Sequence, residues 1–72
     1  MRIKVRDLLT ELRQTQRWLR SALKEAGRII NLNQLNDYLT GARETADSDR
    51  VLEMCMVILM KEKTARSERS AG

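Results

Sequence analysis

Apolar residues recur along this chain at the three- and four-residue spacing of amphipathic helices. The pattern is clearest between residues 15 and 41, where a broad apolar arc is followed, after a glycine turn, by a narrower one. The first arc comprises Trp18, Leu19, Ala22, Leu23 and Ala26, and the second comprises Leu32, Leu35 and Leu39. We therefore predict helices over residues 16–26 and 32–40, joined by a turn at residues 27–31.

Both predicted helices carry signals at their ends. Thr15 and Asn31 each precede an apolar arc, where a side-chain oxygen can accept hydrogen bonds from free N–H groups of the first turn. Gly41 follows the second helix and suits a C-terminal cap. Trp18 lies on an apolar arc, which favours a packing role in the core over base stacking.

A preceding helix is predicted over residues 7–13, with Asp7 as its cap. Its buried stripe consists of Leu8, Leu9 and Leu12. Residues 2–5 alternate enough to begin extended, with Val5 packing just ahead of the helix. The basic residues of this segment are Arg2, Lys4 and Arg6. They would form a basic arm. Such an arm can contact phosphates, but it is more often a mobile, solvated terminus.

A fourth helix, capped by Asp47 or Ser48, is predicted to continue to about residue 63. Its core face carries Val51, Leu52, Cys55, Ile58 and Leu59. Four further apolar residues extend around the helix, namely Met54, Met56, Val57 and Met60. A helix that is apolar nearly all round needs a second surface, which predicts a homodimer seam or a groove for a partner. Alternatively, the flexible methionines fill gaps in the core.

The chain has 72 residues, which corresponds to one domain, and it contains no proline. We expect an all-α, four-helix compact domain over residues 1–63 and a flexible polar tail over residues 64–72. A chain of this size gains only about 3–5 kcal/mol from its core, so dimerisation or a bound partner would stabilise it noticeably.

Composition narrows the function classes. With no His and one Cys, the chain lacks the residues for most metal sites and for a Ser-His or Cys-His nucleophile. We expect neither an enzyme nor a cofactor nor a small-molecule substrate. The apolar run at residues 54–60 is too short to span a bilayer, and the N-terminus has no signal-peptide core. The single Cys55 cannot form an internal disulfide, so we expect a cytoplasmic, nucleoid-associated protein.

Charge is distributed unevenly. Residues 1–30 contain eight basic and three acidic residues, residues 31–60 contain two and five, and residues 61–72 contain four and two. This asymmetry favours a polyanion in contact with the first half and the tail. A solvated, charged surface that keeps a small protein soluble is the other interpretation.

Candidate phosphate contacts lie mainly on the helix predicted over residues 16–26. Its polar face carries Arg17, Arg20 and Lys24, continued by Arg28 if the helix extends that far. Gln16 and Arg17 are the better candidates, because N–H groups at a helix N-terminus favour an anion. Arg43, after the next helix, could also contact phosphate. The alternatives are a solvated basic face and an ion pair of Arg43 with Glu44 or Asp47.

The polar face of the helix at residues 32–40 is a candidate base-reading surface. It carries Asn33, Gln34 and Asp37, flanked by Asn36 and Tyr38. Asn and Gln offer a donor and an acceptor together, as needed to pair with adenine N7 and N6 in the major groove. Asp37 would oppose DNA unless it accepts from a cytosine amine or pairs with an arginine. An exposed polar face without a ligand is the alternative.

The order of these signals resembles the helix-turn-helix family of phage repressor and Cro-like (XRE-type) regulators, in a small phage or mobile-element variant. The resemblance rests on residues 15–19 (TQRWL), 31–36 (NLNQLN) and 38–43 (YLTGAR). It covers about residues 5–61. The link at residues 24–30 is longer than usual, and Ala42 replaces a usual basic residue. The resemblance implies that Gln16, Arg17 and Arg43 contact phosphate, and that residues 33, 34, 36, 37 and 38 face the groove.

Together these features predict a sequence-specific regulator of transcription, expected to be a repressor, that binds double-stranded DNA as a homodimer and inserts its third helix into the major groove. The alternative is a protein-interaction adaptor or antirepressor that binds its partner through the Met-rich fourth helix. The acidic balance of residues 31–60 favours that alternative. RNA binding ranks third, because only Trp18 and Tyr38 are available for stacking.

Overall fold

The computed structural model describes residues 1–71, with side chains through residue 69, and these residues form four α-helices. In chain order the helices are α1 (Arg2–Glu11), α2 (Gln16–Glu25), α3 (Leu32–Thr40) and α4 (Ala46–Ala71). α1 and α2 each pack against both α3 and α4. The predicted all-α, four-helix architecture is therefore confirmed.

One hydrophobic core is shared by all four helices. Its fully buried side chains are Val5, Leu19, Leu23, Leu35, Leu39, Val51, Cys55 and Leu59. Trp18 and Ile58 are partly buried and pack against this cluster. The packing role predicted for Trp18 is confirmed, and the apolar face predicted for the fourth helix closes the core.

The predicted caps of α2 and α3 are confirmed. The Thr15 hydroxyl accepts a hydrogen bond from the Trp18 N–H at 3.1 Å, and the Asn31 side-chain oxygen accepts one from the Gln34 N–H at 2.7 Å. α3 ends at Gly41, whose φ of 81° is left-handed. Glycine suits this position because other residues are strained at positive φ.

α1 differs from its prediction, because it begins at Arg2 and Asp7 lies inside it rather than at its cap. Residues 2–5 are helical and not extended. Val5 is completely buried and stands one helical turn before the buried Leu9, so packing against the core outweighs the weak alternation. Arg2 also forms a salt bridge with Glu44. The residues predicted as a basic arm therefore belong to a packed helix.

α4 begins with a cap that differs from the two predicted ones. Thr45 is the cap: its hydroxyl accepts from the Ser48 N–H at 3.1 Å, while the Ser48 hydroxyl accepts from the Thr45 N–H at 2.8 Å. This reciprocal pair satisfies both N–H groups, and it leaves Asp47 in the first turn, free to face α3.

The C-terminal end of α4 also differs from the sequence expectation. The helix continues past residue 63 to Ala71, through most of the segment predicted as a flexible tail. Arg66 pairs with Glu62 one turn away and donates a 2.6 Å hydrogen bond to the Leu12 carbonyl, which ties this segment to the end of α1. Residue 72, also assigned to the tail, lies outside the described residues.

α4 has 26 residues and is about 39 Å long at 1.5 Å per residue. The longest dimension of the molecule is 40 Å. Charged residues interrupt its apolar stretches, and within residues 1–71 no helix is both long and apolar enough to cross a membrane.

Candidate nucleic-acid interface

The solvent-facing side of α3 carries polar side chains, and the partly exposed Asp37 among them is charged. Asn33, Asn36 and Thr40 are exposed, whereas Leu35 and Leu39 on the other side are buried. A side-chain amide presents a donor and an acceptor at once, which matches the edge of a base pair in the major groove. Asn33 and Asn36 are therefore the predicted base-reading residues whose amides are accessible.

Gln34 and Tyr38 are placed differently from Asn33 and Asn36. Gln34 is half-buried, and its amide nitrogen donates to the Tyr38 hydroxyl at 2.8 Å. Tyr38 is only 3% exposed and belongs to the core. The expectation that Tyr38 faces a groove is wrong, because its ring is packed inside and its hydroxyl is engaged within the protein.

A hydrogen-bonded cluster connects the α2–α3 link, α3 and α4. The Tyr38 hydroxyl donates to the Asp47 carboxylate at 2.7 Å, and the Arg28 guanidinium donates to the same carboxylate at 2.6 Å. The hydrogen bond from Tyr38, followed by the hydrogen bond and charge of Arg28, lowers the pKa of Asp47 against the opposing effect of partial desolvation. The cluster holds α3 against the first turn of α4.

Arg28 therefore differs from its predicted role as a phosphate contact. α2 ends at Glu25, so its polar face does not continue to residue 28. The left-handed Gly27, with φ of 97°, instead turns the chain, and the Arg28 N–H bonds back to the Leu23 carbonyl at 2.8 Å. The Arg28 guanidinium is half-buried and committed to Asp47.

Arg43 pairs with a carboxylate that was not among its predicted partners. Its guanidinium lies 3.8 Å from Asp37, and neither Glu44 nor Asp47 is its partner among the described side chains. The Arg43 N–H also donates to the Asp37 carbonyl at 3.3 Å. An ion pair that is this exposed contributes little, so Arg43 remains accessible to a phosphate, and its charge offsets that of Asp37.

The start of α2 lies beside the exposed side of α3. The Gln16 side-chain amide donates to the Asn36 side-chain oxygen at 3.2 Å. The N–H groups of Gln16 and Arg17 belong to the first helical turn and have no partners within the helix. A helix N-terminus of this kind favours an anion, so a potential phosphate site adjoins the amide-bearing face.

The polar face of α2 is basic along its length. Arg17, Arg20 and Lys24 are all exposed, and among the described side chains none of the three forms a salt bridge. The spacing of these residues keeps them on one side of the helix. The exposed face of α2 therefore offers positive charge to a polyanion, while α3 carries hydrogen-bonding groups.

Ile29 is a surface feature that the sequence reasoning missed. Its side chain is 77% exposed, whereas the neighbouring Ile30 is 7% exposed. Both isoleucines, with Arg20 and Lys24, line a depression of about 190 Å³ beside the basic face of α2. Two adjacent isoleucines in a link between helices could have indicated one buried and one exposed side chain.

The predicted partner surface on α4 is exposed only in part. Val57 and Met60 are 61% and 47% exposed, whereas Met54 and Met56 are half-buried against the core. Met54 and Met56 thus fill gaps in the core with part of their side chains, and the rest of Met54 lines a surface depression beside Val57.

No family model, curated protein or solved structure matches this chain. The resemblance to phage repressor and Cro-like regulators accordingly stays a prediction that rests on the residues quoted for it. Among the described residues, no cluster of three or more His, Cys, Asp or Glu side chains is arranged to hold a metal ion.

Proposed function

We propose that this protein is a sequence-specific double-stranded DNA-binding regulator that inserts α3 into the major groove. The observation that carries the proposal is the Gln16–Asn36 hydrogen bond. It brings the N-terminus of α2, with its exposed basic face, next to the accessible amides of α3. Phosphate contacts from α2 would set affinity and register, and amide contacts from α3 would select sequence.

We assign fewer residues to base contact and to phosphate contact than the sequence alone suggested. Base contacts are assigned to Asn33 and Asn36, while Asp37 is suited to accept from a cytosine amine. Gln34 supports α3 through Tyr38. Phosphate contacts are assigned to Gln16, Arg17, Arg20 and Arg43, whereas Arg28 serves the structure. A protein bound in this way would repress by occluding a promoter, in the cytoplasm and on the nucleoid.

A second function is favoured by the exposed Val57 and Met60 on α4. An adaptor or antirepressor would bury these side chains against a helix of another protein and would not use α2 or α3. The two functions differ in which helix is needed for binding and in the response to salt.

The test compares variants of α2 and α3 in DNA titrations at several salt concentrations. Replacing both Arg17 and Arg20 with Ala should reduce the slope of log K against log salt by about 0.9 for each phosphate that the protein no longer neutralises. Lys63→Ala is the matched control, because Lys63 is basic but pairs with Glu11 on α1. Unchanged affinity and slope in the α2 variant would refute the assignment.

The α3 variant addresses specificity separately. Replacing Asn33 and Asn36 with Ala should abolish preference for the selected site while leaving nonspecific binding and helical content nearly intact. Retained discrimination between selected and random DNA would contradict base reading by this face.

A further inference from the structure

The outer side of α4 carries an apolar stripe flanked by opposite charges. At 100° per residue, Val57 stands opposite Cys55 and Leu59, which are both completely buried. Glu53 lies one turn before Val57 and Lys61 one turn after it, and both are exposed. We call the surface formed by Glu53, Met54, Val57, Met60 and Lys61 the α4 outer stripe.

α4 extends well beyond the part of the helix that packs into the core. Leu59 is the last buried residue of α4 within the described side chains, yet the helix continues for three more turns. Its attachments there are the hydrogen bond from Arg66 to the Leu12 carbonyl and the exposed ion pair between Lys63 and Glu11. Helical segments with so little packing are marginal in water, so a second helix that lies along the outer stripe and continues past Lys61 would stabilise this part of α4.

The shape of the outer stripe suits another helix. Two shallow depressions lie on either side of Val57, and Val57 and Lys61 line both of them. One depression is bounded by Met60 and Thr64, and the other by Glu53 and Met54. Val57 therefore protrudes between the two depressions, and a second helix that crosses the stripe would contact it first.

The charged residues at the two ends of the outer stripe indicate which partner would bind there. Among the described side chains neither Glu53 nor Lys61 forms a salt bridge. In a parallel pair of α4 helices, each would face its own copy at the same height, and like charges would repel. In an antiparallel pair that crosses at Val57, Glu53 faces Lys61 of the second copy, and the same contact repeats by symmetry.

We propose that the α4 outer stripe is a self-complementary interface that joins two copies of this chain through antiparallel α4 helices crossing at Val57. Met54 of each copy then lies against Met60 of the other, and two Glu53–Lys61 pairs close the seam. The inference does not depend on the proposed DNA binding, because it concerns self-association in the absence of DNA. A single helix pair buries less than the standard interface of about 1,600 Å², so we expect a dissociation constant in the micromolar range.

The test is sedimentation equilibrium of the full chain without DNA, over a range of protein concentrations that extends to about 500 µM. The wild type should pass from monomer to dimer, and Val57→Asp should stay monomeric. Because Val57 is exposed, this variant should keep its helical content, as checked by circular dichroism. Thr10→Asp, an exposed position on α1, is a matched control that should still dimerise.

Exchanging the charges at residues 53 and 61 tests whether the two α4 helices are antiparallel. Glu53→Lys and Lys61→Glu should each weaken the dimer about tenfold, since each places two pairs of like charges at the seam, and the double exchange should restore it. Residues 53 and 61 are two turns apart in one helix, so restoration would arise between copies. A wild type that stays monomeric at every concentration would overturn the proposal and would leave the outer stripe for a different protein. A double variant whose dimer is no tighter than the dimers of the single variants would also overturn it.

Discussion

The Tyr38 hydroxyl donates a hydrogen bond of 2.7 Å to the Asp47 carboxylate and so joins the middle of α3 to the first turn of α4. The same hydroxyl accepts from Gln34, and the same carboxylate accepts from Arg28. One phenol and one carboxylate thus connect three segments of the chain. This cluster determines how α3, with its exposed amides, is held against the rest of the domain.

Removing the hydroxyl tests the importance of this connection. Tyr38→Phe keeps the buried ring but removes the hydrogen bonds that the hydroxyl makes with Gln34 and Asp47, so the free energy of unfolding should fall by about 0.5–1.5 kcal/mol. Urea denaturation measures the change. A double-mutant cycle with Asp47→Asn should show that the two substitutions are not additive. Additive effects would mean that the contact contributes nothing to stability.

The lowered pKa of Asp47 predicts a specific response to acid. The hydrogen bond from Tyr38, and then Arg28, holds the pKa of this carboxyl below its ordinary value of 3.8. Because the folded pKa is the lower one, the stabilisation is complete above pH 3.8 and is lost as the pH falls through the folded pKa. The stability difference between wild type and Asp47→Asn should therefore be constant near neutral pH and shrink below pH 3.8. Denaturant unfolding at a series of pH values measures it, and a pH-independent difference would contradict the assignment.

The features predicted correctly from the sequence are local ones. The helix caps at Thr15, Asn31 and Gly41 depend on hydrogen bonds or backbone angles within a few residues, so a short stretch of sequence is enough to predict them. Contacts between residues that are far apart in the sequence were not predicted. The pairing of Arg28 with Asp47 spans 19 positions, and from the sequence Arg28 is predicted only as a phosphate contact.

The start of α1 and the position of Tyr38 were missed for a related reason. From the sequence, Val5 is the end of an alternating segment, whereas in the folded protein it is buried in the core and the residues before it are helical. Tyr38 can lie on either side of the boundary between the polar and apolar faces of α3. In the structure its ring packs into the core, and its hydroxyl donates to Asp47, which is available because Thr45 caps α4.

Cys55 provides a test of how tightly α4 is packed. Its thiol is completely buried, and burial raises its pKa to about 12. At pH 8 the thiolate is therefore scarce as well as inaccessible, and a disulfide reagent such as Ellman's should react only through unfolding. The reaction should be fast in concentrated urea and orders of magnitude slower in its absence. Rapid, complete modification of the folded protein would show that the α4 face opens readily.

Two turn residues should respond oppositely to substitution. Arg13 has a positive φ of 55° although it carries a side chain, so Arg13→Gly should relieve strain and raise the free energy of unfolding by about 0.5 kcal/mol. At Gly27, with φ of 97°, an added Cβ would contact no atom within 4 Å. Gly27→Ala should accordingly cost only the backbone strain, about 1 kcal/mol. Thermal denaturation compares the two variants, and changes of the same sign would contradict this account of the turns.

The most direct test of the proposed function is titration of the protein into labelled random duplex DNA at two salt concentrations, followed by sequencing of the bound fraction. Binding should weaken steeply as salt rises, and a defined sequence should be enriched, arranged as a palindrome if two copies bind together. No binding at low salt would contradict the proposed function and would direct attention to a protein partner for α4.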